Sequence, residues 1–197
     1  GVRILGGCCG TTPEHLKAVG REFLFLTPDV KTAKKSFTAI ASRASYTLFG
    51  AGLSPIVIGE RINPTGRKTL AEEIKQGKTF IIREEAKEQT RQGANALDVN
   101  VGVPGIAEPD VMKRAVFTVN ENSNLPIVID SSNPSAIESG LKACDGKPVI
   151  NSVSGEEKKL SDILPLAKEY GAAVLALTLD DKGIPDSAVG RLKVAER

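Results

Sequence analysis

The stretch Pro126–Ile127–Val128–Ile129–Asp130–Ser131 decides the fold of this chain of 197 residues. Three consecutive apolar residues stand between a proline and a polar pair, and a helical pattern begins a few residues later. A short apolar run with such boundaries is typical of a strand that is buried in a parallel sheet. The polar residue at its carboxyl end indicates that the strand also contributes to a functional site.

The same pattern recurs four more times, with a helical pattern between successive runs. The other runs are residues 56–60, 96–100, 148–152 and 173–178, and we expect helices at 69–92 with a break at Gly77, at 108–121, 134–143, 157–170 and 187–197. Strands that alternate with helices predict an α/β fold with a parallel sheet. A complete (β/α)8 TIM barrel needs about 250 residues. We therefore predict an incomplete barrel of about five βα units over residues 55–197.

Polar side chains stand at or just beyond the carboxyl ends of four of these strands. They are Glu60, Asn63, Asp98, Asn100, Asp130 and Asn151. In a barrel the strand ends converge on one ligand site. Carboxylates accept hydrogen bonds and amides both accept and donate them, so these residues favour a polar heterocycle over a phosphate. An alternative is that Asp98 and Asp130 cap the following helices and that Asn100 forms a turn.

The first 23 residues form a separate pattern of strand, glycine-rich turn and helix. The expected strand covers residues 2–5, and the turn contains the adjacent Cys8 and Cys9. Thiolates bind zinc, but a zinc site that leaves room for a substrate usually has three protein ligands. The alternative is a pair of buried or oxidised thiols. Cys144 lies in a helical pattern of the later region, and the single histidine, His15, is expected on the surface of the first helix.

Residues 24–54 have weak periodicity and indicate a linker with a short extended piece near residues 46–49. The chain starts without a methionine and ends in an amphipathic segment, so we expect it to be a slice of a larger polypeptide.

The composition excludes several classes of partner. Charged residues make up 25% of the chain and the formal net charge is +2, so no attraction to nucleic acid or membrane is expected. Aromatic residues are 4% and tryptophan is absent, which disfavours base stacking. No apolar run approaches the roughly 20 residues of a membrane span. We expect a cytoplasmic protein.

The run Gly6–Gly7–Cys8–Cys9–Gly10 resembles the last strand of the homocysteine S-methyltransferase barrel. The resemblance implies that Cys8 and Cys9 are two of three zinc ligands. It places the third cysteine on a strand upstream of this chain, so the zinc site would be incomplete here.

A second resemblance covers the rest of the chain. The segments Gly59–Gly66, Leu97–Gly102, Ile129–Asn133 and Ile150–Ser152 are similar to strand ends of the pterin-binding methyltransferases. This implies that Asp130 and Asn151 bind the pterin and take part in catalysis. It also implies that Glu60 and Asn63 line the site and that Asp98 and Asn100 contact or orient the ring, all six being pterin-binding candidates.

Both modules in this order are found in the cobalamin-dependent methyltransferases that act on homocysteine. The resemblance implies three parts: residues 1–23 as the end of a homocysteine-binding barrel, 24–54 as a linker, and 55–197 as the first part of a pterin-binding barrel. The implied reaction moves a methyl group from the substrate 5-methyltetrahydrofolate to cobalamin on a separate corrinoid-binding domain. Zinc-activated homocysteine then accepts it and becomes methionine. Later strands of the family are absent, so the isolated segment is expected to be inactive.

Three alternatives remain open at this point. One is an enzyme similar to dihydropteroate synthase, although that family has a Pro-Asp-Ser-Phe type run where this chain has Pro64–Thr65–Gly66–Arg67. Another is a methyltransferase that acts on a corrinoid protein. The third is a truncated, non-catalytic module that binds pterin.

Overall fold

The computed structural model describes residues 5–24 and 37–197. The chain divides into two compact units, residues 1–35 and residues 36–197, which we describe separately. Residues 2–4 of the expected strand at 2–5, and residues 25–36 of the expected linker at 24–54, lie outside the described residues.

The first unit contains the turn and the helix that its sequence predicts. Helix α1 is Pro13–Phe23, with proline at its first turn and Thr12 as the preceding cap residue. The backbone N–H of Thr12 donates to Nδ1 of His15 at 3.1 Å, which satisfies one of the free donors at the helix start. His15 is exposed, as its expected surface position requires.

The second unit is a parallel sheet with helices between its strands. The strands are β1 (Phe37–Ala41), β2 (Tyr46–Gly50), β3 (Ile58–Ile62), β4 (Ala96–Asn100), β5 (Ile127–Asp130), β6 (Val149–Ser154) and β7 (Ala173–Leu177), and the helices are α2 (Lys68–Lys75), α3 (Phe80–Arg91), α4 (Glu108–Asn122), α5 (Pro134–Ala143), α6 (Glu157–Tyr170) and α7 (Ala188–Ala195). Strands β3 to β7 pair in parallel in chain order, and β1 and β2 form an antiparallel hairpin. The predicted α/β class with a partial barrel is confirmed.

Side chains of the parallel strands alternate between two apolar layers. Leu97, Val99 and Ile129 belong to the large core that the strands share with the helices. The intervening residues Ala96 and Val128 belong to a smaller cluster on the other face of the sheet. Because successive side chains of a strand point to opposite faces, Asp98 and Asn100 share the face of Ala96, and Asp130 shares the face of Val128.

The extended piece expected near residues 46–49 is strand β2, and its partner β1 in the hairpin is the main element that the sequence did not predict. Its Ile40 is fully buried in the smaller cluster. The hydroxyl of Thr47 donates to the backbone oxygen of Asn95 at 2.7 Å, and Ala41 exchanges backbone hydrogen bonds with Lys147. Both contacts lie just before strands of the parallel sheet. The second half of the segment expected to be a linker therefore packs against the amino-terminal edge of that sheet.

Two glycines account for local features of the chain path. Gly77 has a φ of +70°, and it ends α2 at the point where the sequence predicts a break. At Gly59, in β3, an added Cβ would lie 2.5 Å from Oε1 of Gln89. That oxygen accepts a hydrogen bond of 2.8 Å from the backbone N–H of Arg61. A larger residue at position 59 would therefore displace the Gln89 side chain from this hydrogen bond.

Among residues 5–24 and 37–197, no helix combines the length and the apolar composition that a membrane crossing requires.

Candidate functional site

The pairing register of β4, β5 and β6 lines up three candidate residues in one row. Asn100 lies opposite Asp130, and Asp130 lies opposite Asn151. Asn100 and Asp130 are the last residues of β4 and β5, at the edge that carries the ligand site in barrel folds, and Asn151, the third residue of β6, lies level with them. The sequence expectation that these residues lie together is therefore met by the strand register.

Asn100 holds the carboxylate of Asp130. The Asn100 Nδ2 donates to Oδ2 of Asp130 at 2.9 Å, while its Oδ1 accepts from the backbone N–H of Gly102 at 2.9 Å. Both ends of this amide are thus engaged. Among the described residues no other group hydrogen-bonds the Asp130 carboxylate, so its second oxygen is available to a ligand.

Asp98 lies one row deeper and pairs with Asn151. Its side chain is buried, with 3% of the residue exposed. The Asn151 Nδ2 donates to Oδ1 of Asp98 at 3.1 Å. The Asp98 Oδ2 is also buried and has no hydrogen-bond partner among the residues that the structure describes.

The surroundings of Asp98 favour its neutral form. Burial raises the pKa of Asp98 to about 7, from an ordinary value of 3.8, because a charged carboxylate loses its hydration. The hydrogen bond from Asn151 lowers that pKa in part, and the negative charges of Asp130 and Glu60 raise it further. A perturbed carboxyl at the carboxyl ends of barrel strands is a common property of functional sites.

Glu60 and Asn63 stand at the β3 end of the rim. Glu60 is exposed and lies close enough for its charge to act on Asp98. Asn63 uses its Oδ1 to accept from the backbone N–H of Thr65 at 2.9 Å, which forms a side-chain-stabilised turn. Its Nδ2 has no partner among the described residues.

The helix-capping alternative for the two aspartates is wrong. Helix α5, which follows Asp130, is capped by Asn133, whose Oδ1 accepts from the backbone N–H of Ser135 at 3.1 Å. Helix α4, which follows Asp98, has Ala107 at its cap position. For Asn100 the turn interpretation is correct and compatible with a site role, because the same amide also holds Asp130.

Sequence reasoning missed a support beneath the loop after β5. The Ser131 hydroxyl donates to Oε1 of Glu108 at 2.5 Å, and the Asn133 Nδ2 donates to the other carboxylate oxygen at 3.3 Å. Glu108 thereby ties the first residue after Asp130 to the start of α4. A glutamate at a helix start carries no signal of this partner, since the two residues are 23 positions apart.

A cavity of about 230 Å³ opens beside Asp130 and Asn151. Its other lining residues are Ser131, Ser132, Ser152, Ser154, Glu156, Lys159, Leu177 and Leu179. Lys159 donates to the backbone oxygen of Ser132 at 2.8 Å, so it braces the wall of the cavity. The size lies just below the roughly 300–1,000 Å³ of small-molecule sites.

Cys8 and Cys9 are exposed, so the buried-thiol alternative is wrong for the described part of the first unit. Their thiols suit zinc. Within residues 5–24 and 37–197, however, no group of three metal-binding side chains exists. Burial raises the pKa of the Cys144 thiol to about 12, and the charge of Asp145 adds to this, so Cys144 is poorly suited to bind metal as a thiolate. The two cysteines fit zinc only with further ligands from outside the described residues.

Comparison with known families places this geometry in context. The family model described as pterin binding enzyme matches residues 59–193, which is more than half of the chain. The chain therefore belongs to the pterin binding enzyme family. A second model, homocysteine S-methyltransferase, matches residues 1–23.

Two curated relatives match the chain over its whole length. It is 35% identical over 208 residues to the methionine synthase of Mycobacterium tuberculosis (strain ATCC 25618 / H37Rv), and 35% identical over 209 residues to that of Mycobacterium leprae (strain TN). The chain spans 17% of the length of each relative. The resemblance to methyltransferases with both modules is confirmed at this level.

The raised pKa of Asp98 predicts a pH-dependent effect of Asp98→Asn on stability. Between about pH 4 and pH 7 the folded state keeps a proton that the unfolded state has released, so wild-type stability falls as the pH rises, by up to about 1.4 kcal/mol per pH unit. Asparagine does not titrate. The variant should therefore gain stability relative to the wild type over this window and level off above pH 7.

Denaturant unfolding followed by circular dichroism from pH 4 to 8 measures this difference. The same change at the exposed Asp186 controls for loss of a carboxylate. A difference that stays constant across the window would show that Asp98 ionises normally in the folded protein.

Proposed function

We propose that this unit binds the pterin ring of 5-methyltetrahydrofolate at the row formed by Asn100, Asp130 and Asn151. The observation that carries the proposal is the Asp130 carboxylate, which is fixed on one oxygen by Asn100 and open on the other. A pterin ring edge offers N–H donors. A carboxylate accepts stronger hydrogen bonds from them than a neutral oxygen does, because these bonds are charge-assisted. The family membership of residues 59–193 supports the same ligand.

The reaction proposed for the longer polypeptide is methyl transfer from 5-methyltetrahydrofolate to cobalamin and then to homocysteine. The name of the relatives and the match of residues 1–23 support this assignment. The ring nitrogen releases its methyl group more readily when that nitrogen carries a positive charge. A polar network can supply this charge by donating a proton to the nitrogen, which is general acid catalysis. Asp130 and Asn151 are the proposed catalytic residues of this chain. Positioning of the two reacting groups supplies most of the remaining rate.

The proposed roles of the other rim residues follow from their contacts. Asn100 orients Asp130, Glu60 and Asn63 complete the polar lining of the ring site, and the buried Asp98 orients the site through Asn151. We assign residues 1–23 to the end of a homocysteine-binding module and the parallel sheet to the first part of a pterin-binding module, with the 37–50 hairpin at its base. Cobalamin is placed on a separate corrinoid-binding domain, and a cytoplasmic location is part of the same proposal.

Zinc is the metal proposed for the homocysteine step. Cys8 and Cys9 would supply two thiolate ligands, and a further ligand would come from outside the described residues. When bound, zinc lowers the pKa of a substrate thiol and so makes the thiolate available at neutral pH.

Asp130→Ala should weaken binding of 5-methyltetrahydrofolate more than Asn100→Ala. A hydrogen bond to a charged group contributes roughly 1.5–3 kcal/mol and a neutral one about 1 kcal/mol, so the dissociation constants of the two variants should differ about tenfold. Asn100→Ala leaves the carboxylate in place and removes its orienting bond together with the bond from the backbone of Gly102. Calorimetric titration of the longest natural polypeptide that contains residues 1–197 measures both. Unchanged affinity in a folded Asp130→Ala variant would refute the ring site.

Cys8→Ser and Cys9→Ser should each remove most of the zinc from that same polypeptide, because a serine hydroxyl is a far weaker zinc ligand than a thiolate. Cys144→Ser is the matched control and should leave the metal content unchanged. Elemental analysis after gel filtration provides the measurement. Full retention of zinc by both variants would show that neither cysteine binds the metal. Loss of zinc from Cys144→Ser would show that Cys144 belongs to the metal site.

A further inference from the structure

The amide of Asn151 has one end committed and one end free. Its Nδ2 donates to Oδ1 of Asp98 at 3.1 Å. Its Oδ1 has no hydrogen-bond partner among the described residues, and Asn151 lines the 230 Å³ cavity together with Asp130. The free end of this amide is therefore the end that a bound ligand can use.

When Asp98 is ionised, which burial restricts to pH values above about 7, it can pair only with a hydrogen-bond donor. A carboxylate has no hydrogen to donate, so only the NH2 end of a neighbouring amide can pair with it. Rotation of the Asn151 amide by half a turn would set its oxygen against the Asp98 oxygen. That arrangement would leave a further buried acceptor without a partner, in addition to the Oδ2 that already has none.

The other amide of the row shows the contrasting case. Asn100 uses its Nδ2 on Asp130 and its Oδ1 on the backbone of Gly102. Each end of the Asn100 amide thus already has one partner within the protein, although a second N–H and a second lone pair remain. Asn100 therefore mainly holds Asp130 in place, whereas the side-chain oxygen of Asn151 has no partner among the described residues.

We propose that Asp98 is a positioning residue, which holds the Asn151 amide so that its carbonyl oxygen, and not its NH2, faces the ligand. This inference rests on the proposed pterin site and adds the polarity of one of its contacts. Asp130 and Asn151 then present two acceptors side by side. The ligand edge that fits them must offer an N–H donor to each.

This polarity limits what Asn151 can do in a reaction. An amide oxygen accepts a hydrogen bond from a ring N–H, including that of a protonated nitrogen, and it has no proton to deliver. Asn151 would thus stabilise a protonated ring nitrogen, and the proton itself would reach the ring from another group.

A charge-swap experiment tests the proposal. In Asp98→Asn/Asn151→Asp the amide at position 98 donates to the carboxylate at position 151, and the second carboxylate oxygen takes the place of the Asn151 carbonyl. Binding of 5-methyltetrahydrofolate at pH 8 should stay within about threefold of wild type. Asn151→Leu removes the acceptor and should weaken binding at least tenfold, which corresponds to the loss of about one buried hydrogen bond.

Two further variants complete the set. Asp98→Leu removes the bond that orients the amide and should weaken binding severalfold in a folded protein. Asn122→Asp makes the same chemical change as Asn151→Asp at the far end of α4, where the amide donates to the backbone oxygen of Thr118 at 2.8 Å, and it should leave binding unchanged.

The outcomes separate the possible errors. A charge-swap variant that folds and binds as weakly as Asn151→Leu would show that the ligand needs the NH2 of Asn151, and it would overturn the inference alone. Wild-type affinity in a folded Asp98→Leu variant would also overturn it. If Asp98→Leu does not fold by circular dichroism, the charge-swap result still decides. Failure of the wild type to bind 5-methyltetrahydrofolate would overturn the proposed function, and the inference with it.

Discussion

The register of the parallel strands β4, β5 and β6 is the constraint on which the site depends. It sets Asn100 opposite Asp130 and Asp130 opposite Asn151. Because strand side chains alternate between faces, a slip of one residue would turn these polar groups into the helix-facing core. The apolar neighbours prevent that slip, since Leu97 and Ile129 are fully buried among the helices in this register alone.

The same register also lowers the stability of the fold, because it buries a carboxylate that lacks a full set of hydrogen-bond partners within the described part of the chain. Below the polar row lies an apolar layer that includes Ile40 of the hairpin and Val128. Asp98 lies opposite Val128 of this layer, buried, with one carboxylate oxygen unpaired among the described residues. Unpaired buried acceptors are rare in proteins, and those that exist tend to mark sites of ligand binding or catalysis. Asp98 holds Asn151 as Asn100 holds Asp130, so in the proposed site two supporting residues orient the two that would face the ligand.

Much of this fold could be predicted because its strands are short apolar runs with clear boundaries. Strand β4 and helices α5 and α6 have the bounds expected from the sequence. Strand β1 was missed because its segment has weak periodicity, and the hairpin is held by contacts with Asn95 and Lys147 far along the chain. The site residues could be named from strand ends, but not their pairing. Asp98 and Asn151 are 53 positions apart, and only register and side-chain rotamers bring them together.

The central claim is that the carboxyl ends of β4, β5 and β6 bind a pterin ring. The most direct test is a crystal structure, with 5-methyltetrahydrofolate bound, of the longest natural polypeptide that contains residues 1–197. The account predicts ring N–H groups within hydrogen-bond distance of the free Asp130 oxygen and of the Asn151 carbonyl, with the Asn100–Asp130 and Asp98–Asn151 pairs intact. A ring bound elsewhere, or one that reaches neither residue, would contradict it.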